Sequence, residues 1–276
     1  MSDAVVSENS LGRSPDRPLL APDEPAAVEI VNPKASAPVL LVCDHASNFI
    51  PRALDNLELD ETHLWRHIAY DIGVAEVTRQ LSRRLGATAI VCGFSRLVID
   101  PNRDPGAPSS IPEAVDGVAI PGNRNLSEAA CRGRIEAFFK PYHQAIEDRL
   151  RMLMARGPAP AVVSVHSFTP VLDGFERPWQ VAALWDRDPR LPLPFMTTLR
   201  SLGFTVGDNE PYSGRDFHGY TMQRHADAQG LANLLIEIRQ DLIDTPDGVG
   251  EWSEILAGTL RDILADPAIY EAKALT

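Results

Sequence analysis

The 276-residue sequence is short of cysteine, of basic charge and of long apolar runs, and each shortage excludes something. Its three cysteines, Cys43, Cys92 and Cys131, are an odd number without C-x-x-C spacing. That argues against a disulfide scaffold or a thiolate zinc site and fits a reduced, cytoplasmic protein. With 26 Lys and Arg against 38 Asp and Glu, the formal charge is −12. Neither nucleic acid nor an anionic membrane surface is therefore an expected partner. A small anion remains open, because a few arginines reverse the field inside a cleft. No stretch approaches the roughly 18 consecutive apolar residues of a membrane span. The start has no basic segment leading into an apolar one, so no secretory signal is expected. The metalloprotease signature H-E-x-x-H is also missing.

What is present is a domain-sized chain with an ordinary apolar content of 44%. Residues 1–34, rich in Pro, Ala, Ser and acids, read as a mobile leader, and residues 35–276 as one domain. Apolar runs predict strands at "PVLLVC", "ATAIVCG", "RLVID", "APAVVSVHSF", "WQVAALW" and "NLLIEI". Helical spacing covers residues 60–85, with a break near Asp71, and residues 127–156, with Ser127 as N-cap and a kink at Pro141. Further helices are expected at 192–202 and 249–264. Residues 101–125 are rich in Pro, Gly and Ser without periodicity, so they read as a long loop of the kind that is functional or disordered. Strands alternating with helices imply an α/β fold, a mostly parallel or mixed central sheet flanked by helices on both faces.

In such sheets, sites form where strands end at their carboxyl edge. Three strand-ends carry ligand-type residues. "LLVCDH" ends at His45, "AVVSVH" ends at His166, and "LLIEIR" carries Glu237. Two imidazoles and an acid suit a catalytic Zn²⁺, or another divalent metal, with Asp71 in "HIAYDIG" as the candidate third ligand. Glu237 would then be the general base. Each residue also has an ordinary reading. A histidine after a strand can simply be hydrogen-bonded, Asp71 can cap a helix at Ile72, and Glu237 can pair with Arg239 or Arg224. In "GFSRLVIDPNRDPG", Arg96, Asn102 and Arg103 are candidate anchors for an acidic substrate, or else turn residues. "NEPYSG" presents Tyr212 to a ligand or makes a tight turn.

Taken in order, "CDHASNFIP", "HIAYDIGVAEV", "GFSRLVIDPNRD", "VVSVHSF", "NEPYSG" and "GLANLLIEIRQDL" resemble the N-formylglutamate amidohydrolase family over residues 39–242. The resemblance implies a zinc-exopeptidase-like fold, related to zinc carboxypeptidases and aminoacylases. It implies His45 and His166 as metal ligands, Glu237 as general base, and a small, acidic, N-acylated amino acid as substrate. It also sets Asn48 where the carboxypeptidase relatives carry a ligating Glu, so either Asp71 substitutes, or the metal is held loosely, or the metal is lost. Asn48 is then counted with the substrate-binding residues. Two other functions compete: a non-catalytic module that binds small anions, and a cysteine hydrolase using Cys43.

Overall fold

The computed structural model describes residues 18–217 and 219–273. Its centre is a seven-stranded mixed sheet. The strands are β1 (Val28–Val31), β2 (Val39–Cys43), β3 (Thr88–Cys92), β6 (Ala161–Phe168), β9 (Val181–Leu184), β10 (Val206–Asp208) and β11 (Asn233–Arg239). Two small hairpins lie outside it, β4 (Ala114–Val115) with β5 (Val118–Ala119) and β7 (Val171–Leu172) with β8 (Phe175–Glu176). The sheet order is β1-β3-β2-β6-β11-β9-β10. The core strands β3, β2, β6 and β11 run parallel, while β1 and the β9–β10 pair run against them.

The apolar runs explain this arrangement. Every residue of β2, β3 and β6 is buried, as expected of parallel strands covered on both faces. Alternation then sorts their side chains. Leu41, Cys43, Val163 and Val165 join one core layer with α2 (Val74–Leu85), α5 (Pro192–Ser201) and α8 (Pro246–Ile263). Leu40, Val42, Val162 and Leu235 face the other layer, which holds α4 (Lys140–Met154) and α7 (Tyr220–His225). By the same period of two, Asp44, Ser164, His166 and Glu237 project into the α4–α7 side.

The helical stretch at 60–85 is broken as expected, into α1 (Glu61–Leu64) and α2, with Asp71 in the interval. The stretch at 127–156 is continuous but changes pitch. Ser127 caps α3 (Glu128–Arg134), a π-helical turn spans Ile135–Phe139, and α4 follows with Pro141 in its first turn. A last short helix, α6, spans Gly214–Phe217.

Two expectations are corrected. "RLVID" is a turn and not a strand. The carbonyls that a strand would offer to a neighbour are taken by side chains: Asn123 Nδ2 donates to Leu97 O at 2.9 Å and Arg134 Nη1 to Val98 O at 2.8 Å. Backbone groups need partners, and here long polar side chains supply them more directly than a ladder would. The second concerns the leader. Residues 1–17 lie outside the described residues, but within 18–34 the segment Val28–Val31 is an edge strand registered on Ala89 to Cys92.

Candidate active site

Three chain segments meet at the carboxyl edge of β2 and β6. Adjacent parallel strands carry His45 and His166 side by side, with ring centroids 4.9 Å apart. Asp71 is delivered by the break between α1 and α2, where its backbone N–H donates to His45 O at 2.9 Å. Its carboxylate does not cap a helix. The N-cap of α2 is Gly73, and Asp71 Oδ2 instead accepts from Ser167 N–H at 3.2 Å and lies 3.0 Å from His166 Nδ1. One ligand atom from each of His45, Asp71 and His166 falls within 4.8 Å of the other two, and all three residues are buried.

The imidazoles are held by their far nitrogens. His45 Nε2 is 2.8 Å from Asp100 Oδ1, and His166 Nε2 is 3.1 Å from Asp44 Oδ2. Both rings therefore turn Nδ1 toward Asp71, and His45 Nδ1 faces Asp71 Oδ2 at 3.5 Å without making a hydrogen bond. A buried nitrogen without a partner costs free energy unless something fills the space it faces. Burial would depress the His166 pKa, but Asp44 and Asp71 outweigh it and raise it to about 10. Burial works the other way on Asp44, which His166, His45 and Thr221 still bring down to about 2. Asp71 is lowered against burial by His45 and His166, and Asp100 by Arg96 and His45.

Glu237 sits on β11 in register with His166. Arg239 pairs with Asp241 and Arg224 with Glu147, so neither neutralises it. Its Oε2 has no partner, and burial raises its pKa to about 7 despite His166 nearby. The buried group thus holds four carboxyls, Asp44, Asp71, Asp100 and Glu237; Arg96 pairs with Asp71 and Asp100, and His166 adds a second positive charge. More carboxyls than cations meet there, and His45 Nδ1 makes no hydrogen bond; both fit a divalent cation, for which two imidazoles with one carboxylate are a suitable donor set.

The model of the N-formylglutamate amidohydrolase family matches residues 37–244. The chain belongs to this family. Membership carries the family's class of reaction, hydrolysis of an amide bond. Among solved structures, a gene product from Agrobacterium tumefaciens is 36% identical, with a TM-score of 0.86 over 90% of this chain and 98% of that one. An N-formylglutamate amidohydrolase from Ralstonia eutropha JMP134 shares the fold at 23% identity and a TM-score of 0.66, over 86% of this chain and 97% of that one. Among curated proteins none matches the sequence. Among the described residues no helix is long and apolar enough to cross a membrane.

The other residues singled out from the sequence are placed as follows. Arg96 donates Nη2 to Asp100 Oδ2 at 2.9 Å and faces Asp71 Oδ1 at 3.5 Å. Asn102 is buried, with Oδ1 accepting from Thr221 N–H at 3.1 Å, and Arg103 donates Nη1 to Asn102 O at 3.1 Å. Asn48 lies outside the triad and spends Nδ2 on Leu64 O at 3.0 Å. Tyr212 is half-exposed and receives a hydrogen bond from Arg177. Cys43 faces the other core layer, where burial pushes its thiol pKa far up, the opposite of what a nucleophile needs.

Sequence reasoning missed Asp44 and Asp100. Asp44 is wholly buried and accepts from Tyr142 Oη at 2.9 Å and Thr221 Oγ1 at 2.7 Å, besides facing His166. Asp100 accepts from Asn102 N–H at 2.8 Å as well as holding His45. The available signal was adjacency: an acid immediately before His45, and another opening "DPNRD".

Proposed function

We propose that the chain is a metal-dependent amidohydrolase that cleaves a small N-acylated amino acid resembling N-formylglutamate, releasing formate or another acid and the free amino acid. The observation that carries this reading is the buried cluster of His45, Asp71 and His166, in which His45 Nδ1 makes no hydrogen bond, beside a Glu237 Oε2 that makes none either. His45 Nδ1, Asp71 Oδ2 and His166 Nδ1 would hold the ion, with Zn²⁺ the first choice for this donor set. When bound, such an ion activates water at neutral pH and polarises the carbonyl to be attacked.

The chain's own residues do the rest. Asp100 and Asp44 hold the two rings with Nδ1 turned inward, as carboxylates behind metal-ligating histidines do. Glu237 Oε2 takes the proton from the attacking water and delivers it to the departing amine nitrogen. A carboxyl with a pKa near 7 is suited to both transfers. Asp71 is what favours this reading over a metal-free anion-binding module, since it supplies the acid that Asn48 does not. The three free cysteines fit a reducing, cytoplasmic setting.

The test is direct. Protein stripped with a chelator and reloaded with Zn²⁺ should release formate and glutamate from N-formylglutamate, and the stripped protein should not. If the reloaded protein hydrolyses no N-formyl or N-acyl amino acid, the proposal is wrong.

A further inference from the structure

The triad and Glu237 account for bond cleavage but leave the rest of an acidic substrate without a partner. Arg96 is already matched by two carboxylates, and Asn102 Oδ1 is occupied by Thr221 N–H. A different arginine has the right surroundings. Arg177 is only 5% exposed, yet its two hydrogen bonds go to neutral oxygens, Thr169 O at 3.2 Å and Tyr212 Oη at 3.3 Å. No carboxylate among the described residues pairs with it. A guanidinium has five N–H donors, so most of this fork is without a hydrogen-bond partner among the described residues.

Its position separates it from the other buried arginines. Arg149 binds the carbonyls of Pro33 and Ala35, at the far end of β2, and Arg134 braces the turn after β3. Arg177 instead lies over Phe168, with its guanidinium carbon 5.8 Å from the ring centroid. Phe168 is two residues beyond His166 on the same face of β6, and it pairs with Arg239 as His166 pairs with Glu237. The guanidinium also lies 5.0 Å from the centroid of the Tyr212 ring. Tyr212 in turn feels Glu237, whose charge adds to burial in raising the phenol's pKa. The cation therefore stands at the carboxyl edge of the sheet, one pleat outward from the triad, backed by two aromatic rings. Arg177 N–H, donating to Pro170 O at 2.8 Å, and Arg177 O, accepting from Arg239 Nη1 at 3.3 Å, fix its backbone there.

We propose that Arg177, assisted by Tyr212 Oη, anchors one of the carboxylates of the N-acylated amino acid. This rests on the amidohydrolase reading above. A rigid fork left without an acid is suited to bidentate carboxylate binding, and its planar faces suit the rings beside it.

The test compares Arg177→Gln, Arg177→Lys and Tyr212→Phe on three substrates: N-formylglutamate, N-formylglutamine and the α-amide of N-formylglutamate. For Arg177→Gln, kcat/KM on N-formylglutamate should fall on the order of 10–100-fold, mainly through KM. The substrate already lacking the anchored carboxylate should be unaffected. An unaffected N-formylglutamine assigns the side-chain carboxylate, and an unaffected α-amide assigns the α-carboxylate. Arg177→Lys should recover part of the loss. Tyr212→Phe, at a half-exposed position the fold tolerates, should cost about 2–10-fold. Equal losses on all three substrates, or none, would overturn the assignment. Calorimetric titration with N-formylglutamate keeps it separable from the reading beneath it. Should the wild type bind but not hydrolyse, loss of binding in Arg177→Gln supports the anchor while the amidohydrolase reading falls. Equal binding in both proteins, or none in the wild type, refutes the anchor.

Discussion

Replacing Glu237 with glutamine should make the metal-stripped protein more stable than wild type at alkaline pH while slowing turnover by the zinc-loaded protein. Glu237 is 7% exposed, its Oε2 has no partner, and burial raises its pKa from 4.5 to about 7. Because the folded value is the higher one, the folded state binds the proton more tightly. Its contribution to stability is complete below pH 4.5 and is lost as pH rises through 7. At about 1.4 kcal/mol per pKa unit, that separation corresponds to ~3 kcal/mol lost by pH 8. Glutamine keeps the shape and carries no charge, so the variant escapes this loss. His166 also titrates, its pKa raised from 6.5 to about 10, so its contribution is present below 6.5 and fades through 10. It does so in both proteins and largely cancels in the comparison. Denaturant unfolding of chelator-treated wild type and Glu237→Gln at pH 4.5, 6 and 8 should show the difference moving by ~3 kcal/mol in the variant's favour. Turnover of the zinc-loaded variant should fall by about 10²–10⁴-fold. A stability difference that does not change with pH would refute the argument from burial, and retained turnover would refute the role as base.

Further outcomes follow from the same geometry. Asp71→Asn should lower the zinc retained after dialysis from about one equivalent to a small fraction, read by elemental analysis, because the triad loses its only charged ligand. Asp44→Asn should weaken zinc affinity by about 10–100-fold in competition with a chelating dye, by releasing the His166 ring from its brace. Unchanged affinity would make Asp44 a core residue alone. Cys43→Ala should leave turnover unchanged and lower stability by about 1 kcal/mol, since the thiol packs in the opposite layer.

The strands were legible because β2, β6 and β11 are continuous apolar runs, and a sheet covered on both faces demands them. The ligand-type residues at their ends were legible for the same reason: each interrupts such a run. Roles that depend on distant partners were hidden. Tyr142 and Thr221 reach Asp44 across 98 and 177 residues of sequence, and nothing near Asp44 announces them. The same holds for Arg177, whose significance comes from what fails to pair with it. "RLVID" has the composition of a strand but not its surroundings, because Asn123 and Arg134 claim its carbonyls first. Arg96 looked available as an anchor for substrate, yet the fold uses it to balance Asp71 and Asp100.

The hydrogen bond from Asp71 N–H to His45 O has a consequence for how the molecule comes into being. That bond brings the interval after α1 to the end of β2, but Asp71 meets His166 across 95 residues and His166 meets Asp44 across 122. Contacts this remote in sequence form only after most of the sheet has assembled, because the loops they close are long. Glu237 arrives later still along the chain. During refolding, zinc uptake and turnover should therefore return only with the last phase, well after backbone signals recover. A fragment ending before β11 would lack Glu237 however well its remaining strands paired.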